Sequence, residues 1–306
     1  MQEYEVIILG GGPAGLTAGL YSARYGLNVV LIERGMFGGK IINASHVDNY
    51  PGFPMGITGM DLGQQMYDQA ARFGLKMETA DVTGITRADG AFQIKTDDET
   101  YTAKSVIIAT GSDYRKLGVD GEDRLEGRGV SYCATCDGFL FKNMVVAVVG
   151  GGDTALSDAL ELSEHAKGVF IIHRRDQLRG SAVLQRLVLT HPKIKMIWDS
   201  VVESITGEQK LRLLNLINKK TGVKSTLEVD GLFVAVGLIP NSGLVKGLAN
   251  LDEAGNIIID ELMATSVPGL YAAGDIRKNS ARQVVTAVGD GATAAKSAYR
   301  YVKGHD

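Results

Sequence analysis

The 306-residue sequence predicts an α/β protein of two Rossmann-like dinucleotide-binding domains, the second inserted into the first, in three layers with small antiparallel β excursions. Three observations predict it. A strand, glycine turn, helix and strand occur twice: Gly10, Gly12, Gly15 and Glu33 correspond to Gly150, Gly152, Ala155 and His173, a constant offset of 140 (150 − 10). A polar, loop-like stretch at residues 112–126 separates the two units. The segment after about residue 243 is too small to fold alone, so it should complete the first core. The expected domains are therefore 1–113 with 244–306, and 114–243 between them, joined by two crossings.

The elements follow in order. Tyr4-Glu5-Val6-Ile7-Ile8-Leu9 is a nearly continuous apolar run, the pattern of a parallel strand buried on both faces. In Gly10-Gly11-Gly12-Pro13-Ala14-Gly15 the first glycine allows the turn, the second lets a pyrophosphate approach the backbone, and the third lets helix pack on strand. The following helix points its N-terminus at the phosphates. Glu33, 18 residues past Gly15, is placed to accept from a free ribose hydroxyl and to repel a 2′-phosphate. Gly38 and Gly39 lie in a turn-rich loop expected to lie against the same cofactor. After a helix from about Met60 to Phe73, short strands near Met77–Ile85, Ala91–Thr96 and Glu99–Thr102 predict an antiparallel excursion, and Val106-Ile107-Ile108-Ala109-Thr110-Gly111 a closing strand whose end borders the site.

Both cysteines of the chain then fall in Cys133-Ala134-Thr135-Cys136-Asp137-Gly138. Two cysteines at this spacing cannot make a disulfide framework, and meet readily within one helical turn as a redox pair. If that turn opens a helix, its N-terminus favours a thiolate. Asp137 is placed as the acid and base for the pair. A zinc site needs two more ligands, and the histidines at 46, 165, 173, 191 and 305 show no ligand spacing, so no metal is expected.

The second glycine turn, Gly150-Gly151-Gly152-Asp153-Thr154-Ala155, has Asp153 where a helix N-cap is expected. Where the first unit has Glu33, the second has His173-Arg174-Arg175-Asp176-Gln177-Leu178-Arg179. Guanidinium forks match phosphate geometry, so His173, Arg174, Arg175 and Arg179 point to NADPH. Ala272-Ala273-Gly274-Asp275 closes a last short strand before an alanine-rich terminal helix from Gly289 to Tyr301. The composition, 45 % hydrophobic and 22 % charged with net charge −3, is that of a globular protein and gives no nucleic-acid or membrane footprint. The start at Met1 lacks the positive region of a signal peptide, and the expectation is a cytoplasmic protein.

Over essentially its whole length the chain resembles the bacterial low-molecular-weight thioredoxin reductases. The stretches that carry the resemblance are Gly-Gly-Gly-Pro-Ala-Gly, Asn-Tyr-Pro-Gly at 49–52, Cys-Ala-Thr-Cys-Asp-Gly, the second glycine turn, His-Arg-Arg-x-x-x-Arg, Ala-Ala-Gly-Asp and Ala281-Arg282-Gln283. The resemblance implies FAD in the first site, held by Gly12 to Gly15, Glu33, the loop around Gly39 and Lys40, Asn49, Asp275 and Arg282-Gln283-Val284. It implies electron flow from NADPH to FAD to the Cys133–Cys136 disulfide to oxidised thioredoxin, with Cys136 nearer the flavin, Arg128 and Phe139 contacting thioredoxin, and a homodimer. A dithiol packed on a flavin cannot also reach a partner protein, so rotation of the inserted domain about its crossings is expected. Three departures stand out: Asp153 for a frequent asparagine, Ser157-Asp158 for two glutamates, and Lys40 for a frequent glutamine. Relatives that take electrons from ferredoxin or another donor, and flavin-dependent dithiol oxidases of the same fold, are the alternatives.

Overall fold

The computed structural model describes residues 2–44, 46–88 and 90–305; the expected start at Met1 lies outside them. In chain order the first part comprises β1 (Gln2–Leu9), α1 (Pro13–Arg24), β2 (Val29–Glu33), α2 (Gly59–Arg72), β3 (Lys76–Thr79), β4 (Val82–Ala88), β5 (Ala91–Thr96), β6 (Thr100–Ile108) and β7 (Ser112–Tyr114). The middle part comprises α3 (Glu122–Leu125), β8 (Val130–Ser131), α4 (Ala134–Asp137), β9 (Val145–Val149), α5 (Asp153–His165), β10 (Gly168–Ile172), α6 (Ala182–Thr190), β11 (Ile194–Ile197), β12 (Ser200–Thr206), β13 (Leu213–Asn218), β14 (Lys224–Glu228) and β15 (Gly231–Val234). The chain ends with β16 (Leu238–Pro240), β17 (Leu270–Ala272) and α7 (Val284–Lys303).

Two compact units result, Met1–Asp113 with Ile239–Asp306, and Tyr114–Leu238. The return to the first unit thus falls at Leu238/Ile239, five residues before the expected 243/244. Ile239 and Pro240 therefore already lie in the first unit. Asn241 belongs to the first unit because its backbone N–H donates to the Gly111 carbonyl (3.0 Å), its side-chain amide donates to the Thr110 carbonyl (3.0 Å), and Thr110 Oγ1 donates back to the Asn241 carbonyl (3.0 Å).

The first unit's sheet has the order β3-β2-β1-β6-β5-β4, and β17 also pairs with β6. β6 is long enough to serve two partners on one edge. Its start pairs antiparallel with β5 (Ala103 opposite Phe92), and its end pairs parallel with β17 (Val106 opposite Leu270). The C-terminal segment is therefore built into the first sheet. β1 carries apolar residues on both faces: Val6 and Ile8 face one core with Leu16, Ala18, Ala294 and Ala298 of the helices, while Ile7 and Leu9 face another with Phe92, Ile94, Val245 and Ile257. That two-sided burial is why the run shows no alternation. The stretch expected as one strand near Met77–Ile85 is two. β3 continues the parallel sheet beside β2, and β4, β5 and the start of β6 form the antiparallel excursion.

The second unit repeats the plan with a five-stranded sheet, β11-β10-β9-β15-β8, whose β9, β10, β11, β15 and β8 pair in parallel. Val146 and Val148 of β9 face the helices α5 and α6, and Ala147 and Val149 face the three-stranded antiparallel sheet β12-β13-β14. Among the described residues no helix is long and apolar enough to cross a membrane.

Candidate active site and cofactor sites

The two glycine turns solve the same steric problem. Gly10 has φ +106°, and a Cβ there would lie 2.4 Å from the Ala109 carbonyl oxygen; at Gly150 it would lie 2.5 Å from that of Ala235. Strand ends β6 and β15 thus press on the first glycine of each turn. A Cβ at Gly15 would sit 1.8 Å from the Gly10 oxygen, so no side chain fits there. At the matching position Ala155 is fully buried and its methyl is tolerated. The middle glycines differ in kind. Gly12 has φ −76° and Gly152 φ −97°, ordinary for any residue. A Cβ at Gly12 would meet only Gly39 Cα at 3.9 Å, and one at Gly152 would meet nothing within 4 Å. Neither packing nor backbone conformation requires glycine at these two N-caps, and both helices start with no side-chain cap. Their first-turn N–H groups are open to a phosphate.

In the first unit Pro13 begins α1 and Ala14 is buried against the Gly274 turn. Glu33, at the end of β2, accepts from the N–H groups of Gly11 (2.6 Å) and Gly35 (2.9 Å), which fixes its carboxylate beside the turn. Gly38 and Gly39 have φ +105° and +66°; Gly38 N–H donates to the Gly11 carbonyl (2.8 Å), and a Cβ at Gly39 would lie 2.8 Å from Gly12 Cα. The loop expected beside the turn is packed on it. Lys40 pairs with Asp113 (2.7 Å) and donates to the Ser112 carbonyl, which holds this loop to the end of β6 and the start of β7.

The far wall of the first site comes from the C-terminal segment. Asn49 Nδ2 donates to Gln283 Oε1 (3.0 Å), and Gln283 is the N-cap of α7, locked in a reciprocal capping box with Thr286. Val284 is the first residue of that helix, and Arg282 is exposed with φ +58°. Asp275 follows Gly274 in a short 3-10 turn, where burial pushes its carboxyl above the usual range, and Ser280 Oγ donates to it at 3.4 Å. The sequence reading missed what holds this turn. Asp290 of α7 accepts from Gly274 N–H (3.1 Å) and from both sides of the Arg277 fork (2.6 and 2.9 Å).

In the second unit Asp153 is the first residue of α5 rather than its N-cap, which is Gly152. Its carboxylate instead accepts from Ser181 N–H (2.6 Å), the N-cap of α6. Arg179 and Gly180 N–H both donate to the Gly151 carbonyl (2.7 and 3.1 Å), so the arginine loop folds over the glycine turn. Thr154 is exposed beside Asp153. His173 differs from the arginines of the run in being buried. It is 5 % exposed, its Nε2 lies 3.0 Å from the Gln177 carbonyl, and a Cβ at Gly151 would touch its ring at 2.3 Å. Burial pushes its pKa down, opposed by hydrogen bonds to the Gln177 and Gly150 backbone and helped by the nearby Arg179 and Arg174, and the ring serves as a prop under the loop. Arg174, Arg175 and Arg179 are exposed and make no ion pair among the described residues. The one acid of the run, Asp176, is taken by Lys220 at 2.7 Å. The loop therefore keeps three free guanidinium groups.

Cys133 and Cys136 form a disulfide with Cα atoms 5.3 Å apart. Cys133 is the N-cap of α4, and its Sγ accepts from Cys136 N–H at 3.2 Å. α4 is a single turn, Ala134–Asp137, so the expected helix-dipole effect shrinks to that one local donor. Asp137 is half-buried. Burial raises its pKa, opposed by the Ser131 hydroxyl that donates to Oδ2 at 2.6 Å. Ser131 Oγ also accepts from Cys133 N–H (3.1 Å), so one buried hydroxyl ties the acid to the disulfide's backbone. Behind the turn, Thr135 Oγ1 donates to Glu161 (3.0 Å), and burial with the neighbouring Glu161 pushes Asp158 up to about 7. No sequence pattern marks Ser131 or Glu161, because each acts across a non-local contact. Arg128 is exposed, and Phe139 (44 %) and Leu140 (49 %) stand out of the surface beyond the dithiol. No group of three histidine, cysteine or acidic residues able to hold a metal occurs among the described residues.

Residues 4–291 match the family model described as pyridine nucleotide-disulphide oxidoreductase. The chain is 44 % identical to a thioredoxin reductase of Listeria innocua over 301 residues, covering 98 % of this chain and 94 % of that one. It is 42 % identical to a thioredoxin reductase of Bacillus subtilis, covering 98 % and 95 %. The crystal structure of thioredoxin reductase from Streptococcus pyogenes superimposes with a TM-score of 0.93 at 44 % identity, covering 99 % of each chain. The chain belongs to the pyridine nucleotide-disulphide oxidoreductases and, within them, to the bacterial thioredoxin reductases.

Proposed function

We propose that this chain is a thioredoxin-disulfide reductase that holds FAD in its first unit, takes electrons from NADPH bound by its second, and works in the cytoplasm as a homodimer. The observation that carries the reading is the Cys133–Cys136 disulfide closed within one turn, with the Asp137 carboxyl tied to it through Ser131. A dinucleotide fits both glycine turns, since Gly12 and Gly152 leave space that no protein atom fills. Gly10, Gly12, Pro13, Ala14, Gly15, Glu33, Gly38 and Gly39 would hold the FAD, with Asn49, Asp275 and Gln283 on the opposite wall. When bound, a flavin accepts a hydride from a reduced nicotinamide and passes two electrons on to a disulfide.

The chain's own residues do the rest. Reduction of Cys133–Cys136 breaks one S–S bond and consumes two electrons and two protons. One cysteine, as thiolate, then attacks the disulfide of oxidised thioredoxin. A mixed disulfide forms, and Asp137 protonates the sulfur that departs. The second cysteine closes the Cys133–Cys136 disulfide again and releases thioredoxin with two thiols. Arg128 and Phe139, with Leu140 beside it, are exposed where a partner protein would meet the dithiol. Because the pair must serve both the flavin and that partner, the inserted unit turns about its two crossings; a crosslink between the units that left turnover unchanged would refute this.

NADPH rather than NADH follows from the three free guanidinium groups at the end of β10, with Asp176 neutralised by Lys220. A 2′-phosphate would meet donors there and a ribose hydroxyl in NADH would not need them. The double variant R174Q/R179Q is expected to raise KM for NADPH by about tenfold for each guanidinium lost, while KM for NADH stays unchanged. Coupled assays with oxidised thioredoxin test the whole reading: one NADPH should be consumed per thioredoxin disulfide reduced. NADPH oxidation that produces no thioredoxin thiols would count against it.

A further inference from the structure

We propose that Arg277 and Asp290 are positioning residues of the flavin site, a buried fork that sets the Gly274-Asp275 turn in register with the starts of α1 and α7. The proposal rests on the reading of the first unit as the FAD site. The fork is bidentate: Nε of Arg277 donates to Oδ2 of Asp290 at 2.6 Å and Nη2 to Oδ1 at 2.9 Å. Oδ2 also accepts from Gly274 N–H at 3.1 Å, and Nη1 of Arg277 donates to the Lys278 carbonyl at 3.2 Å. Asp290 is buried, at 9 % side-chain exposure, and Arg277 is largely covered, at 16 %.

The same point of the fold holds three elements together. Gly274, with φ +81°, would place a Cβ 2.9 Å from Ala14 Cβ. Gly291, next to Asp290, would place one 2.2 Å from the Ala14 oxygen. Ala14 lies in the first turn of α1, the turn that presents its N–H groups beside Gly12. Asp275 is one residue from Gly274, and Gln283, which bonds Asn49, caps the helix that carries Asp290. One carboxylate thus fixes the relative placement of the α1 N-terminus, the Asp275 carboxyl and the Gln283 cap.

A charge pair is not needed to hold such a packing contact. An apolar pair of similar volume commonly keeps or raises the stability of a fold, because two desolvated charges barely recover their hydration energy. What a fork supplies beyond packing is direction: two parallel N–H···O bonds and a third from Gly274 admit one orientation. The group whose placement that orientation controls is Asp275, which is half-buried next to Gly274 and accepts from Ser280 Oγ.

The test compares R277M/D290L, which replaces the pair with apolar side chains, and R277K, which keeps the charge and removes the fork. Each protein is stripped of flavin, its thermal unfolding is followed, and FAD is titrated back while flavin fluorescence is monitored. The expected result is cooperative unfolding of both apoproteins near the wild-type temperature, with Kd for FAD raised about tenfold or more in R277M/D290L and less in R277K. FAD affinity within twofold of wild type in both variants would overturn the assignment. So would apoproteins of both variants that no longer unfold cooperatively, since the pair would then be a general staple of the fold. A wild-type apoprotein that binds no FAD at all would instead refute the proposed function, and this assignment with it.

Discussion

Cys136→Ser is expected to abolish thioredoxin reduction, by about 10⁴-fold or more, while leaving flavin reduction by NADPH intact. The chain has two cysteines, and both are in the one disulfide. A serine hydroxyl forms no disulfide, so the route ends at the flavin and no other sulfur can take over. The variant should fold, because Cys133 remains the N-cap of α4 and the backbone N–H of residue 136 still points at its sulfur. Cys133→Ser should be equally inactive and at least as stable, since serine is a preferred N-cap. Stopped-flow flavin absorbance with NADPH, beside a thioredoxin turnover assay, separates the two half-reactions. Residual turnover of a few per cent in either variant would remove the disulfide from the pathway.

Asp137→Asn should slow turnover by about 10²- to 10³-fold without loosening the fold. Asparagine can keep a hydrogen bond to Ser131 but cannot hand over a proton. Burial holds the Asp137 pKa above the ordinary carboxylate value. A raised folded-state pKa means that this group's stability contribution is complete below the unfolded value and is lost as pH rises through the folded one. Above the raised pKa the ionised carboxylate therefore costs the fold something, and asparagine removes that cost. The wild-type rate of thioredoxin-disulfide reduction should fall as pH rises through the raised pKa, where the acid form disappears, and that limb should vanish in the variant. Thermal unfolding and a pH profile of the two proteins check both statements. An unaltered pH profile in Asp137→Asn would assign the proton to another group.

Much of this site was legible in the sequence because it is made of short-range geometry. A glycine turn states its own steric needs, and two of them at a constant offset of 140 (150 − 10) state a duplication. The matched strand ends, Glu33 and the arginine run, follow from the same repeat. What could not be read depends on contacts between distant residues. The parallel edge strand β3 has the composition of its antiparallel neighbours, and only pairing with β2 sets it apart. The expected boundary at 243/244 leaves Ile239 to Gly243 in the second unit, yet Asn241 binds them to Thr110 and Gly111 of the first. His173 occupies the position of a phosphate ligand by register, but it is buried and packs against Gly151 under the loop. Ser131, Glu161, Arg277 and Asp290 carry no motif, because each is defined by a partner up to 26 residues away in a different element of the fold.

In the proposed function two electrons from NADPH arrive at Cys133 and Cys136. Anaerobic mixing of the wild-type holoprotein with NADPH, NADH or reduced ferredoxin, followed by acid quench and thiol alkylation, measures donor and destination together. The account predicts that NADPH bleaches the flavin absorbance rapidly, that NADH does so at least about tenfold more slowly, and that alkylation then appears at Cys133 and Cys136 in equal amounts. Flavin that NADPH leaves unbleached while ferredoxin reduces it, or bleaching that yields no alkylated cysteine, would contradict it.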